Sequence, residues 1–489
     1  MITRGQGEEN GYFGDGLVAI LPLRECGVAT GGISVYLAAT LHKGFSTSGR
    51  VLLVVFALLA GIVLCWWRVP LEQAEVRDHL RGFPDSDHYM HGIRPYVMAV
   101  VFFLPFLGAL FYATAGIMAR WLTREFLQAM LVCYGGILLI YFLIDFSGNA
   151  ARLGEGGDLG TGTWMYYSRL APSIVTLLLP FGILFSVMYC VVRVSRSREI
   201  VAALQSGRSM LRVMGPLYVC GLLGSLFYLG CNFHWAPMAE GTKSANMDEA
   251  RGKTGKLMNH TVFYYAKGRR MWMVTEFPRG YDHGVPLRGV EVTSLNEDGS
   301  LASRLYAKEA IWSESERSWH FIDVELTDHH KNQAPVFVSP PGPYVKTTWS
   351  ETPAQIVQQG LDVRHLGMPD LSGMMHAEVK AEWLKQDSAR YATQWHYRMA
   401  LPATCLVYVM FAVPLSLFVT RRAHGGTMAL TIVMAIHLVL FTSVALALGE
   451  SGNLSPALAA WVPVALFALI GLWLMKRRMA GRALWPLFG

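Results

Sequence analysis

Long apolar runs recur along most of the chain, and short polar segments separate them everywhere except at one place. The hydrocarbon core of a bilayer, about 30 Å thick, is crossed by roughly 20 residues of helix. Eight runs reach or approach that length: 51–67, 97–119, 126–147, 172–192, 213–233, 399–420, 427–448 and 457–475. The pattern therefore predicts eight membrane-spanning helices. The first run is short, and its Trp66 and Trp67 are typical of an interfacial belt.

The exception is a long polar block, 236–397, between the fifth and sixth runs. From about 255 to 350 its apolar residues alternate with polar ones, which is the period of half-buried β-strands. Ile322, Val324 and Leu326 are predicted to share one face of a strand, with their polar neighbours on the other face. Several such strands at short spacing favour a β-sandwich, a jelly roll or an open barrel.

Residues 352–390 are predicted to be largely helical, opening with Thr352 as the N-cap before Pro353. The fold class that follows is a polytopic α-helical membrane protein, with a six-helix core, two extra N-terminal helices and an inserted β domain. Its expected parts are a cytoplasmic tail (1–50), the two extra helices (51–119), core helices 1–3 (120–235), the β domain (236–397), core helices 4–6 (398–478) and a C-terminal tail (479–489).

Composition and charge narrow the class of protein. Of the residues, 53% are hydrophobic and 16% charged, whereas soluble domains carry about a quarter charged residues. An ordinary soluble enzyme is therefore excluded. The net charge of +7 does not indicate nucleic-acid binding, because Lys and Arg lie at the ends of apolar runs, where they orient spans. The arginine-rich loop 193–212 is predicted to be cytoplasmic, which places the polar block outside the cytoplasm.

Motifs for catalysis and cofactor binding are missing from the sequence. There is no HExxH and no GxSxG motif, so no sequence motif supports a hydrolase. Gly252-Lys253-Thr254 lacks the glycine of a phosphate-binding loop, since Met247 stands at that position. The seven cysteines form no CxxC pair, and none lies in the polar block. No cofactor is therefore expected in this chain.

Imidazoles and carboxylates concentrate between the first two apolar runs, and this combination suits a transition metal. No ligand spacing among them is diagnostic, so a solvated polar loop is the favoured interpretation and no metal ligand is assigned. The residues are His79, Asp85, Asp87, His88 and His91.

Asp145 lies near the outer end of the third run. A carboxylate in a span is costly unless it faces a cavity or a partner, which makes this residue a functional candidate. The alternative, of equal standing, is that Asp145 is simply hydrated at the interface.

The cytoplasmic segment 195–207 is amphipathic. Ile200 and Leu204 belong to one apolar helical face, and Gly207 is placed to end the helix. Such a helix either lies at the membrane interface or inserts into a cytoplasmic partner.

Three segments carry a resemblance to a known family. They are RWLTREF at 120–126, SREIVAALQSG at 197–207, and the segment 448–463 with its LGE, LSP and AWVP elements. In their order and spacing, from about 120 to 478, the chain resembles the LptF/LptG family of lipopolysaccharide export permeases. The family's arrangement of three helices, an external β-jelly roll and three helices agrees with the predicted architecture.

The resemblance implies a noncatalytic half-permease in the bacterial inner membrane, with a periplasmic jelly roll. Its expected partners are a homologous second permease subunit, a cytoplasmic ATPase dimer that hydrolyses ATP, periplasmic jelly-roll bridge proteins, and lipopolysaccharide. It also implies two sets of site residues. Arg196, Arg198, Glu199, Ile200 and Leu204 would couple to the ATPase, whereas Asp145, Arg152, Ile322, Val324 and Leu326 would line the lipid path.

The chain departs from the family pattern at two places. The family often has lysines around its acidic residue, whereas here only Arg152 is available to replace them. The helices of 51–119 are additional. Three interpretations stay open: they occupy lipid-facing surface, they take the place of an accessory partner's helix, or they have no role in transport. Two other functions stay open: a permease for another lipid or lipoprotein, and a membrane-anchored sensor with a ligand-binding β domain.

Overall fold

The structure is a computed structural model that describes most of the chain after residue 46. The described ranges are 47–82, 87–155, 159–197, 199–251, 256–265, 268–278, 284–296, 300–313, 315–329, 334–353, 355–356, 362–376, 382–417 and 424–480. Most of the predicted tail 1–50, together with Asp85, Arg198 and Gly252–Thr254, lies outside these residues. The chain divides into two units, Met1–Gly49 and Arg50–Gly489, and the architecture below belongs to the second, apart from the opening residues of its first helix.

Helices form both ends of the described chain. Before the sheet they are α1 (Thr47–Gly82), α2 (His88–Thr114), α3 (Ile117–Gly154), α4 (Leu159–Arg196), α5 (Glu199–Gln205), α6 (Met210–Phe233), α7 (Trp235–Gly241) and α8 (Lys243–Ala250). After it come a 3₁₀ turn (Val363–His365), α9 (Met368–His376), α10 (Glu382–Ala400), α11 (Ala403–Ser416), α12 (His424–Glu450) and α13 (Pro456–Met479).

The membrane-spanning helices agree with the hydropathy pattern. Within the described residues, seven helices are long and apolar enough to cross a bilayer, and a bent pair can supply an eighth. The pair is Ser388–Ala400 with Ala403–Ser416, which meet at 49°. Pro402 separates the two, and its missing N–H explains the break, because a proline there cannot continue the hydrogen-bond ladder of α10. The chain is therefore a multi-pass membrane protein.

One boundary differs from the prediction. The apolar run 97–119 covers two helices, because α2 ends at Thr114 and α3 begins at Ile117. Gly116, the N-cap of α3, has extended backbone angles (φ −67°, ψ 167°) that interrupt the helix. Hydropathy does not register this break, since the residues on both sides of it are apolar.

Close approach of the backbones holds the helical core together. Residues of α4, α6, α11 and α13 supply most of its buried side chains. At Gly221 on α6, a Cβ atom would lie 2.7 Å from Cγ2 of Val409 on α11, so only glycine allows this contact. Small residues at such crossings are the usual means of packing helices in a bilayer, where apolar burial between helices gives little.

The polar block contains the predicted β domain. Its strands are β1 (Lys256–Tyr265), β2 (Arg270–Pro278), β3 (Leu287–Leu295), β4 (Leu301–Ser313), β5 (Ser318–Asp328), β6 (Val336–Val338) and β7 (Tyr344–Lys346). In the described residues they form one antiparallel sheet in the order β1-β2-β3-β4-β5-β6, with β7 also paired to β5. Consecutive strands are thus neighbours, as in a meander. The expected class, a helical membrane protein with an inserted β domain, is confirmed.

The sheet changes its buried face partway along β5. Val324 is buried and Leu326 packs against the same hydrophobic cluster, as predicted. Asp323, however, adopts a positive φ of 54°, and beyond it Phe321 is buried instead of Ile322. The prediction that Ile322 shares the face of Val324 is therefore wrong, because the irregular backbone at Asp323 breaks the strict alternation.

Residues after the sheet close its hydrophobic core. The apolar side chains that cover it come from the connecting segment and from α10: Trp349, Ile356, Val363, Leu366, Leu371, Tyr391 and Trp395. The first of these helical turns opens as predicted. Thr352 Oγ1 accepts a hydrogen bond from Gln355 N (3.4 Å), and Gln355 Oε1 accepts one from Thr352 N (3.1 Å), a reciprocal capping box.

The face change predicts unequal effects of two neighbouring substitutions. Val324→Asp should lower the free energy of unfolding by about 4 kcal/mol or more, since it buries an unpaired charge, whereas Ile322→Asp should cost about 1 kcal/mol. Thermal unfolding of the purified chain, followed by tryptophan fluorescence, measures both. Equal losses in the two variants would contradict the assigned faces.

Candidate functional site

Asp145, near the end of α3, meets two residues from other helices. Its Oδ2 accepts a hydrogen bond from the Tyr167 hydroxyl at 2.8 Å, and its Oδ1 lies 3.7 Å from Lys243 Nζ. The carboxylate is 14% exposed, and Lys243 is 35% exposed. Asp145 therefore faces partners at the place where the spans meet the polar block. We call Asp145, Tyr167 and Lys243 the junction cluster.

The sequence analysis did not identify Lys243. Arg152, the expected cation, is an exposed residue further along α3. The cation that lies 3.7 Å from Asp145 is instead Lys243, at the start of α8. No spacing signal links positions 145 and 243. A general signal was available, since a lone basic residue close after a span end is a candidate partner for an acid at a neighbouring span end.

Further polar contacts attach α7 and α8 to the spans. Arg169 on α4 makes a two-pronged ion pair with Glu249 at 2.6 and 3.1 Å. Ser173 Oγ donates a hydrogen bond to Glu240 Oε2 at 2.8 Å. Two cations, Lys243 and Arg169, thus lie where the spans meet α8, each paired with an acid and about a third exposed. Such a cation can exchange its carboxylate for an external anion such as a phosphate.

Helix α5 (Glu199–Gln205) is shorter than the amphipathic segment 195–207 predicted from the sequence. Ile200 is buried and Leu204 packs against the helical core, so the apolar face turns inward. Glu199 and Arg196 are exposed. Gly207 adopts a φ of 80° and donates a hydrogen bond to the Leu204 carbonyl at 3.0 Å, so the helix stops where the glycine was predicted to stop it.

The interior of the β domain is filled by aromatic side chains. Trp272, Trp319 and Phe321 are fully buried beside Val324. Glu351, also fully buried, pairs with Arg270, and its carbonyl accepts a hydrogen bond from Trp319 Nε1 at 2.7 Å. A hydrophobic chain can enter this interior only if the aromatic side chains move apart.

The prediction of a solvated loop between α1 and α2 is wrong for two of its histidines, His79 and His91. His79 lies in the last turn of α1, and His91, in the first turn of α2, is completely buried. Asp87 caps α2, since its Oδ1 accepts hydrogen bonds from Tyr89 N and Met90 N, both at 3.1 Å. Of the histidines considered there, His88 is exposed. Tertiary packing, which hydropathy does not register, buries His91 completely and His79 in part.

Long-range neighbours complete this buried group. Asp370 on α9 lies 3.8 Å from His79 Nε2 and 3.5 Å from His91 Nε2, and its other oxygen lies 3.8 Å from His234 Nδ1. We call these four residues the histidine cluster. Sequence analysis missed His234 and Asp370, because nothing in their local sequence points to residues so far away.

Burial keeps the imidazoles neutral. Desolvation, and secondarily the charge of Arg94, lowers the pKa of His79 to about 4. The same causes hold the pKa of His234 well below its ordinary value. The approaches of His79 and His234 to Asp370 are therefore not ion pairs at neutral pH. Beside them, Arg94 pairs with Glu72 at 2.6 Å, and Trp235 Nε1 donates a hydrogen bond to Glu72 Oε2 at 3.3 Å.

The fold and the junction define a class: a polytopic membrane protein with a β domain inserted between two helical halves. Comparison with known proteins narrows it. A family profile described as "Lipopolysaccharide export system permease LptF/LptG" matches residues 120–477. The chain belongs to this family of transport permease subunits.

The chain is 22% identical over 373 residues to the lipopolysaccharide export system permease protein LptG of Escherichia coli K12. The alignment covers 74% of this chain and 99% of that protein. The LptG of E. coli O6:H1 (strain CFT073) gives the same values.

Two ion pairs of equal length predict different stability effects. Arg94–Glu72 and Arg169–Glu249 are both 2.6 Å, but the first is 2%/5% exposed and the second 37%/38%. Arg94→Met leaves the buried Glu72 carboxylate without its cation and should cost about 3–5 kcal/mol. Arg169→Met should cost less than about 1 kcal/mol. Thermal unfolding in detergent measures both, and similar losses would refute the role given to burial.

Proposed function

We propose that this chain is one half of an ATP-driven permease that takes lipopolysaccharide from the inner membrane and delivers it into its periplasmic β domain. The observation that carries the proposal is the junction cluster, where an apolar span, a carboxylate and a lysine meet at the start of the polar block. The family supplies the substrate class, and its curated relatives are named for lipopolysaccharide export.

The exposure of α3 supports a second permease half. In the most apolar window of α3, 6% of the residues are buried, compared with 61% for α4. A helix so open on its apolar side is suited to lining a cavity shared with a homologous subunit, into which a lipid enters from the side. Three apolar side chains that precede Asp145 on α3 are more than half exposed: Leu139, Ile140 and Ile144.

The junction suits an anionic lipid headgroup. Lys243 and Arg169 are each about a third exposed, and Arg152, further along α3, is exposed as well. Each phosphate that arrives can take over a cation from its carboxylate, and lysine and arginine both bind phosphate oxygens well. The lipid's acyl chains would then face the apolar interior of the sheet. Exposing those chains to water instead would cost about 0.8 kcal/mol per CH₂ group, which is why a shielded path is needed.

The free edge of the sheet supports contact with periplasmic bridge proteins. β6 is a short edge strand whose Val336, Phe337 and Val338 are 47%, 78% and 43% exposed. An edge strand offers unpaired backbone groups to a strand of another protein, and exposed apolar side chains add affinity. A bridge protein with its own β domain would extend the sheet here.

Helix α5 is the proposed contact with the ATPase. Its buried Ile200 and Leu204 fix it to the permease, and its exposed Glu199, with Arg196 nearby, meets the partner. Arg198 is proposed to act with them, although it lies outside the described residues. Force applied to α5 reaches the helical core directly, because the same apolar side chains join both.

Reversing the charge at Glu199 tests this contact. Glu199→Arg should abolish co-purification of the ATPase from native membranes in mild detergent, and lipopolysaccharide export with it, while insertion stays normal. Glu325→Arg, an equal charge change at an exposed position of β5, is the control and should keep the ATPase. If the tagged wild-type chain recovers neither an ATPase nor a second permease, the transporter proposal fails and a ligand-binding sensor takes its place.

Reversing the charge at Lys243 tests the junction. Lys243→Glu places a second carboxylate beside Asp145 and should lower export of lipopolysaccharide at least ~10-fold, with Lys243→Arg restoring most of it. Transfer of radiolabelled lipopolysaccharide from spheroplast membranes to an acceptor measures the rate. Equal rates in wild type and Lys243→Glu, at equal expression, would exclude a headgroup role for this lysine.

A further inference from the structure

The histidine cluster brings three nitrogen and oxygen donors to one point. His79 Nε2 and His91 Nε2 approach the same oxygen, Asp370 Oδ1, at 3.8 and 3.5 Å. One ligand atom from each of the three residues lies within 4.8 Å of the other two. The imidazole rings of His79 and His91 are 4.5 Å apart at their centroids and tilted by 33°. We propose that His79, His91 and Asp370 bind a divalent transition metal ion, and that the chemistry of these ligands favours zinc.

The separations suit a tetrahedral ion. Zinc bonds to imidazole nitrogen and carboxylate oxygen are about 2.0–2.2 Å long, which sets neighbouring ligand atoms roughly 3.3–3.6 Å apart. The contacts at 3.5 and 3.8 Å are close to this spacing. Two imidazoles with one carboxylate form a common protein ligand set for zinc, whereas magnesium and calcium prefer oxygen ligands alone.

A second observation is independent of the spacing. His91 is completely buried, and both of its ring nitrogens are without a hydrogen-bond partner among the described residues. His234 Nδ1 is also buried, and it too lacks a hydrogen-bond partner among the described residues. Buried polar atoms are nearly always satisfied, so nitrogens left open beside a carboxylate indicate an ion or an ordered water.

The surrounding charges permit a dication. The charge of Arg94 acts on His79 and His234, but Glu72 binds Arg94 at 2.6 Å and offsets that charge. Arg398 donates to Asn232 Oδ1 at 3.2 Å and to the Arg364 carbonyl, so it has acceptors of its own. His234 Nδ1 lies 3.8 Å from the second oxygen of Asp370, where it is placed to orient that carboxylate or to supply a fourth ligand.

Gly367 keeps the space beside these ligands open. A Cβ atom at this position would lie 2.7 Å from His234 Nδ1 and 3.2 Å from Asp370 Oδ2. The Gly367 N–H donates to the same Asp370 oxygen at 3.2 Å. The turn that carries Asp370 therefore holds its carboxylate in place and leaves Oδ1 directed at His79 and His91.

The proposed ion would fasten the two extra helices to the β-domain segment. His79 is on α1, His91 on α2 and Asp370 on α9, and Ser372 Oγ adds a hydrogen bond to Asp87 Oδ2 at 2.7 Å. Helix α1 needs such a link, because 6% of the residues in its most apolar window are buried. The proposal is separate from lipid export and stands or falls without it.

Metal binding by the full-length protein tests the site. The chain is purified in detergent through a tag that contains no histidine, stripped with a chelator and titrated with Zn²⁺ against a competing indicator. Wild type should retain stoichiometric zinc through gel filtration. His91→Ala and Asp370→Asn should each weaken binding by more than about tenfold. His88→Ala, an exposed histidine on the same helical turn, is the matched control and should bind as wild type does.

Two measurements guard against misfolded variants. Co²⁺ added to wild type alone should give the visible absorption of a four-coordinate nitrogen and oxygen site. Zn²⁺ should also raise the unfolding temperature of wild type and His88→Ala, but not that of His91→Ala. No zinc bound to wild type, or equal affinity in wild type and His91→Ala, would overturn the proposal and leave a metal-free cluster of neutral histidines.

Discussion

A charged side chain at the edge of a bilayer needs a partner, because lipid cannot solvate it, and much of this structure depends on how that need is met. The partners come from the segments that flank the sheet: Lys243 for Asp145, Glu249 for Arg169 and Trp235 for Glu72. Each contact joins a helix of the membrane part to α7 or α8. Directional polar contacts therefore help to set the position of the polar block on the spans. They act together with a buried apolar cluster that joins α3 and α4 to α8 and includes Leu153, Leu170 and Met247.

A single helix connects the two hydrophobic cores. Tyr391 and Trp395 of α10 pack against the core of the sheet, and Tyr397 and Ala400, one or two turns later, pack in the helical core. The bend at Pro402 then turns the chain into α11, whose residues are buried among α4, α6 and α13. Helix α10 therefore contributes side chains to the core of the sheet and to the helical core.

Features that depend on neighbouring residues alone were predicted well. The eight apolar runs match the spans, Thr352 forms its capping box with Gln355, and Gly207 ends α5. The prediction failed where one backbone angle mattered, since the positive φ of Asp323 moves Ile322 off the face of Val324. Of the candidate site residues, Asp145 lies beside Tyr167 and Lys243, and Lys243 was not found from the sequence.

The sequence by itself determined the membrane spans, their interruption by a β domain, and the resemblance to a permease family, because hydropathy and strand alternation are properties of short stretches of chain. Only the tertiary structure brought Lys243 to Asp145, and Asp370 and His234 to His79 and His91. These pairs are distant in sequence, and their proximity depends on how the helices pack. No local pattern contains that information, so the chemistry of both clusters became visible only in three dimensions.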